Sequence, residues 1–459
     1  MKKQSAASNQ ITEGVIWKQL LLFFFPILFG TFFQQLYNTT DAVIVGNFVG
    51  KEALAAVGGP SATIINLLVG FFVGLSSGAT VIISQHYGAG DGRRVSDAVH
   101  TSVALAIAGG AVMTVIGIAV SGFSLRAMNT PSDILEPSLV YMRIYFLGTV
   151  PSMLYNMGSG ILRAVGDSKR PLYFLIASCF INIVLDLFFV VVLQLGVAGA
   201  AIATILSQTI SALMTLIALA RTGDSYRLVL SRIRFHKTHL LNIVKIGLPA
   251  GLQSAMYSVS NLLIQSSINA FGTDTVAAWT AYGKIDGMFW MIMSAYGVSI
   301  TTFAGQNFGA GKYDRVKKSV RVCLGLAAVT SVVLSCIVVS FGGTILLLFT
   351  RDAQVISICE GIIRLVAPTY ITYICIEILS GTCRGCGDSF IPMILTCFGV
   401  CILRIVWIFV AVPMRNDIST VVFSYPLTWT ITSLLFAVYY KKGRWLQKDS
   451  IADAPPAAQ

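Results

Sequence analysis

Apolar stretches of about 20 residues recur from one end of this chain to the other. Each is long enough to cross a ~30 Å hydrocarbon layer as a helix. Twelve can be drawn, near 16–39, 54–82, 98–121, 134–157, 171–193, 198–220, 241–270, 275–304, 319–342, 355–380, 390–413 and 420–440. Charged residues make up only 11% of the chain, against about 25% in an ordinary soluble domain. The alternating apolar–polar segments of a membrane β-barrel are absent. These features specify an all-α polytopic membrane protein with twelve transmembrane helices. The start, MKKQSAASNQITEGVIWKQLLLFFFP, resembles a secretion signal in having a basic end and an apolar run. The run is too long, however, and no small-x-small cleavage site follows it, so it reads as a retained first helix.

The net charge of +12 would suit a nucleic-acid partner, but its distribution argues for topology instead. With both termini in the cytoplasm, about 24 of the 32 Lys and Arg fall on the inner side, as the positive-inside rule requires. They include Lys2, Lys3, Arg93, Arg94, Arg163, Lys169, Arg170, the basic run from Arg221 to Lys245, and Lys441, Lys442 and Arg444. Only Lys51, Arg126, Arg351 and Arg415 fall in outer loops.

An internal repeat organises the chain. SQHYGAGDGRRV (84–95) returns as GQNFGAGKYDRV (305–316), and GILRAVGDSKRPL (160–172) returns as GTCRGCGDSFIPM (381–393), both at an offset of 221. The expected division is therefore a tail (1–14), a six-helix lobe (15–220), a basic linker (221–245), a second six-helix lobe (246–441) and a tail (442–459). Six is even, so the halves are parallel repeats about an axis along the membrane normal, the arrangement of carriers that rock around a central site. In GDSKRP, Gly and Asp end one helix and Pro starts the next. Arg163 and Arg384 are expected to cap carbonyls or pair with Asp167 and Asp388. Arg143 and Arg364, also at offset 221, read as structural.

Other chemistry is sparse. The CRGC of Cys383 and Cys386 has no second pair, and its counterpart is LRAV, so the two cysteines read as small packing residues. The four histidines are scattered in sequence, and no metal site is expected. GAGDGRR (88–94) lacks the preceding strand and the Lys-Ser/Thr of a phosphate loop. With no nucleotide site, transport would have to draw on an ion gradient. A membrane-embedded enzyme would need clustered catalytic side chains, which the sequence lacks, so no enzymatic activity and no cofactor are expected.

Together, the 6+6 layout, GILRAVGDSKRP after the fourth helix, GVAGAAIAT (196–204) opening the sixth, and YNTTDAVIVG (37–46) closing the first resemble the multidrug and toxic compound extrusion (MATE) family. The likeness covers about residues 12 to 445. It implies export of organic cations, driven by inward H⁺ or Na⁺. It also implies a cation site formed by an aspartate near the outer end of the first helix and another in the fifth, matched here by Asp41 and by Asp186 in NIVLD. Other branches carry a carboxylate in the seventh helix. SAMYSVSNLLIQSS has none, which favours H⁺ over Na⁺.

The residues support a site on their own terms. A charge inside the membrane costs several kcal/mol, so it tends to face a cavity or a partner. Asp41 lies 23 residues past Lys18 and Asp186 lies 16 past Arg170, roughly 34 and 24 Å along their helices. Both thus fall in the outer half of one lobe. Asn38 and Asn182 sit three and four residues before them, on the same helix faces, so two carboxylates and two amides could converge. The plainer reading is that Asp41 caps a helix end. The repeat places Asn261 and Trp407 opposite the two acids. The second half instead carries Lys284, Asp286, Glu377 and Arg404. Asp286 is expected to pair with Arg404 or, alternatively, to face substrate, while Glu377 reaches water at its helix end. Met288 and Met291, one turn apart, with Tyr37 and Tyr257, are candidate substrate contacts, since methionine and aromatic surfaces adapt to many shapes. Pro26 is the bending point of the first helix.

The expected function is a multidrug antiporter of the cell membrane, working as a monomer in the lipid bilayer, coupled to H⁺ or alternatively Na⁺. The runner-up is a lipid-linked saccharide flippase of related architecture. That activity calls for a strongly cationic cavity, for which only Lys284 and Arg404 are available.

Overall fold

The computed structural model describes residues 10–347 and 349–446. Lys2, Lys3 and most of both expected tails lie outside them. Among the described residues there is no strand. Twelve helical rods follow one another: α1 (Ile16–Phe48), α2 (Lys51–Gly88), α3 (Gly92–Ala127), α4 (Ser132–Leu147 and Thr149–Ala164), α5 (Lys169–Val192), α6 (Gly196–Arg221), α7 (Lys237–Asn269), α8 (Thr273–Gly309), α9 (Tyr313–Leu346), α10 (Ala353–Gly385), α11 (Phe390–Met414) and α12 (Ile418–Lys442). All but α4 and α7 are long and apolar enough to cross a membrane. α4 is interrupted at Gly148, and α7 is studded with Ser, Asn and Gln. The protein is a multi-pass membrane protein.

The helices outrun their apolar cores. α1 continues to Phe48 rather than stopping near 39, so Asp41 lies within a helix and does not cap one. The repeated motifs build matched turns. Gly90 and Gly311 adopt φ of 73° and 69°, and Gly166 and Gly387 adopt 96° and 92°, a left-handed region that glycine enters without steric cost. In each turn the next amide bonds back five residues, as in Asp167 N to Leu162 O (2.9 Å) and Asp388 N to Cys383 O (2.9 Å), which closes the helix C-terminus.

The arginines of these motifs do not bind as expected. Asp167 pairs with Arg170 (3.0 Å) and accepts from the amides of Lys169 and Arg170. Arg163 instead lines a cavity of about 160 Å³ with Gln34, Tyr155 and Asn156. Asp388 accepts from the Tyr439 hydroxyl, and Arg384 is neighboured by Glu377. The spacing of four residues between Arg and Asp spans the helix end, and past the left-handed glycine Asp167 turns back onto its own loop while Asp388 reaches Tyr439 on α12.

By packing, the described chain forms two compact units, one of residues 25–251 and one of 10–24 with 252–446. The divisions fall inside α1 and α7, beside Pro26 and Pro249. In the first unit, α2 and α7 cross with backbones nearly touching, at Gly74 and Gly78 on one helix and Gly247 and Gly251 on the other. In the second, the N-terminal part of α1 is embedded. Leu20, Phe23 and Phe24 are buried, and Phe24 stacks on Tyr296 with ring centroids 4.2 Å apart. The segment before α1 is clamped by Arg315, whose guanidinium donates to the carbonyls of Ile11 and Gly14, and by Lys312, which donates to the Thr12 carbonyl at 3.1 Å.

Cys383 and Cys386 are buried against Tyr439, Tyr440 and Trp445. Replacing them together with Ala and Ser is expected to leave transport within about twofold, because each swap removes little volume. A dye-efflux assay at matched expression checks this, and a more than tenfold loss would reveal a thiol role.

The four histidines are not scattered in space. His86 and His239 lie 5.3 Å apart by ring centroid, and His236 and His239 lie 6.2 Å apart. His236 contacts the Asp97 carboxylate at 3.5 Å. His100 stands one turn from Asp97 on α3 and accepts a bond from the Val229 amide at 3.0 Å.

Candidate functional site

Three helices of the first unit assemble the site. Asp41 on α1, Asp186 and Asn182 on α5, and Thr204 on α6 are all buried, with Asn182 and Asp186 fully sealed from solvent. Asp41 adjoins both Asp186 and Asn182, and Thr204 Oγ1 donates to its Oδ2 at 3.3 Å. Yet neither carboxylate oxygen of Asp186 and neither amide atom of Asn182 makes a well-formed hydrogen bond. Buried polar groups are nearly always satisfied, so this cluster of oxygens has binding capacity its own side chains do not use. Immediately after Asp186, α5 widens into a π-helix over Leu187–Val192, a distortion frequent at functional sites.

Tyr37, one turn before Asp41, joins this cluster. Its hydroxyl bonds Ser207 Oγ (3.0 Å) and reaches the Thr204 carbonyl (3.4 Å). Asn38 does not join; it is exposed. Positions 37 and 41 share the face turned to α6, and residue 38 is rotated off it. Thr204, Ser207 and Tyr141, which lies beside both carboxylates, were not singled out by sequence. Thr204 closes the quoted stretch GVAGAAIAT, so a signal was present.

The charges of the second unit follow a different plan. Asp286 and Arg404 form no ion pair. Asp286 accepts three bonds from aromatic donors: Tyr282 (3.0 Å) and Tyr370 (2.9 Å) on Oδ1, and Trp290 Nε1 (2.7 Å) on Oδ2. Arg404, 2% exposed, lies over the Tyr425 ring at 4.1 Å, a cation–π contact. Glu377 lies eight residues before the end of α10 and is half-buried. It accepts from Tyr373 (3.1 Å) and packs so closely on Gly297 that a Cβ there would meet its Oε1 at 2.1 Å. Tyr257 stands beside Tyr373, Lys284 is exposed, Met288 is 51% exposed and Met291 is half-buried. Among the described residues no group of three or more His, Cys, Asp or Glu is placed to hold a metal ion.

The family model described as MatE matches residues 26–188 and 249–410, once in each sequence half. The chain belongs to the MatE family. It is 28% identical over 447 residues to the "Probable multidrug resistance protein YoeA" of Bacillus subtilis, covering 96% of each chain. It is 30% identical over 441 residues to "Probable multidrug resistance protein YpnP" of the same organism, covering 95% of this chain and 97% of that one. Its fold matches a solved structure described as an outward-facing conformation of a multidrug resistance MATE family transporter, at a TM-score of 0.90 and 22% identity, over 97% of this chain and 100% of that one. The protein is thus a MATE-family membrane transporter, with two six-helix halves. Its paired match also accounts for the internal repeat: each copy of the family unit ends within the fifth helix of its half.

Proposed function

We propose that this MATE transporter is a secondary active exporter of organic, mostly cationic and amphipathic compounds, driven by inward movement of H⁺, with Asp41 and Asp186 carrying the coupling ion. What supports this most is the sealed juxtaposition of two carboxylates whose oxygens are left without well-formed partners. Two acids in contact away from water repel, and a proton or cation held between them relieves that repulsion. Site occupancy therefore bears directly on how α1, α5 and α6 pack. Pro26 lies 15 residues inward of Asp41, a place where the α1 backbone lacks a bond and can bend.

Na⁺ is the alternative ion. The donor set is all oxygen, as a hard cation needs, and Asp41, Asp186, Asn182 and Thr204 would hold it. In the second unit, Met288, Met291, Tyr257 and Asp286 are the proposed substrate contacts. The protein is proposed to act as a monomer in the cell membrane, with both termini cytoplasmic.

The test is purified protein in liposomes preloaded with a fluorescent organic cation, with a pH gradient and a Na⁺ gradient imposed in turn. Dye movement is expected with the pH gradient and should collapse with a protonophore. Movement that follows Na⁺ alone would replace H⁺ as the ion, and no response to either gradient would overturn the exporter reading.

A further inference from the structure

The segment between α6 and α7 has a fixed shape. Leu228 N bonds Leu219 O (3.0 Å), Arg227 Nε bonds Ala220 O (3.1 Å), Val229 N bonds His100 Nε2 (3.0 Å) and His236 N bonds Thr101 Oγ1 (3.2 Å). Tyr226 and Leu228 turn inward and join the core of the first unit. Between the pins lie a short 3₁₀ turn, Leu230–Arg232, and the extended residues after it, which leave two large apolar side chains outward. Leu230 is 71% exposed and Phe235 49%. Arg227, Arg232, Arg234 and Lys237 stand exposed around them. From 221 to 237 there are five Lys or Arg and one acid, Asp224.

A loop held this firmly cannot fold Leu230 and Phe235 inward, so they meet whatever surrounds it. In water that exposure is unfavourable. The composition, bulky apolar residues set among cations at the end of a membrane helix, suits an anionic membrane surface, where apolar groups enter the acyl–headgroup boundary and Lys and Arg meet phosphate. α7 continues the pattern, exposing Leu241 and Leu248 with Lys245 between them.

We infer that the α6–α7 loop is a membrane-surface anchor, inserting Leu230 and Phe235 into the inner leaflet while Arg232, Arg234 and Lys237 bind the phosphates of anionic phospholipids. It rests on the cytoplasmic placement of this loop and is independent of the ion-coupling reading.

The test uses the full chain carrying Leu230→Cys, labelled with bimane, in nanodiscs of phosphatidylcholine alone or with about a third phosphatidylglycerol. The unsubstituted protein labelled in parallel supplies the background from its exposed Cys336. Shallow doxyl-lipid is expected to quench the Leu230 label about threefold more than aqueous iodide does, and phosphatidylglycerol should increase the lipid quenching. Arg232→Gln with Arg234→Gln should remove that increase and leave the quenching in phosphatidylcholine. Iodide quenching as free as for a label in water, in both lipids, would overturn the anchor and leave a solvated or protein-binding loop. Equal lipid quenching in the two compositions would overturn the role given to the arginines.

Discussion

Asp186→Asn is expected to stop gradient-driven efflux, with a loss of more than about tenfold in initial rate, while the protein still folds. The side chain is fully buried and Asn fills nearly the same volume, so packing gives little reason for collapse. What changes is charge. Under the proposed coupling, Asp186→Asn leaves Asp41 without the repulsion that an incoming H⁺ would relieve, and a tenfold loss corresponds to ~1.4 kcal/mol of lost coupling. Asp41→Asn should have the same effect. The double variant should be no worse than either single one if the two carboxylates act as the proposed unit, since effects within a unit do not add. Thr204→Val removes one hydroxyl donor at 3.3 Å and should cost only a few-fold. The measurement is dye efflux from energised vesicles at matched amounts of monodisperse protein. An Asp186→Asn protein that exports at the normal rate against a gradient, or a double variant whose loss is the product of the single losses, would remove the pair from the coupling step.

The acids of this site were legible because a charge inside an apolar run is costly and therefore conspicuous. Asn182 followed from helical spacing. The same rule misled at Asn38, since positions three and four residues away both neighbour Asp41. Which one faces α6 depends on the rotation of α1, and it is Tyr37. Spacing also could not reveal Thr204 or Tyr141, whose roles arise from helices meeting across long stretches of sequence.

The second unit shows a different limit. Asp286 and Arg404 looked like partners because each needs compensation when buried. The fold supplies that compensation separately, through three aromatic donors on one and a tyrosine face under the other. Nothing in local sequence distinguishes that solution from an ion pair. The twelve spans, the repeat and the glycine turns could all be read, since each is set by hydropathy or by a local backbone requirement. Histidines far apart in sequence gather because the α6–α7 loop folds back over α3, a contact no periodicity announces.

Changing the glycines at the crossing of α2 and α7 carries the largest expected effect on stability. Gly74 and Gly78 are four apart, as are Gly247 and Gly251, the spacing by which small residues let membrane helices approach closely. A Cβ added at Gly247 would lie 2.3 Å from the Leu75 carbonyl oxygen, and one at Gly78 would lie 2.2 Å from that of Ile243. Both obstacles are backbone, so no rotamer change relieves them and the helices must separate. Gly247→Ala is expected to cost about 2–3 kcal/mol, seen as a lower midpoint in thermal unfolding followed by size-exclusion chromatography. Gly247→Leu should abolish the monodisperse protein. Gly122→Ala is the reference: its nearest neighbour would be Leu139 Cδ1 at 3.8 Å, an ordinary contact, so the higher helix propensity of Ala makes it neutral or slightly stabilising. If Gly247→Ala and Gly122→Ala melted alike, the crossing would not be tight. If only Gly247→Ala falls, the N-terminal part of α7 is held to α2 by backbone contact and belongs with the first unit, although it follows the linker in sequence.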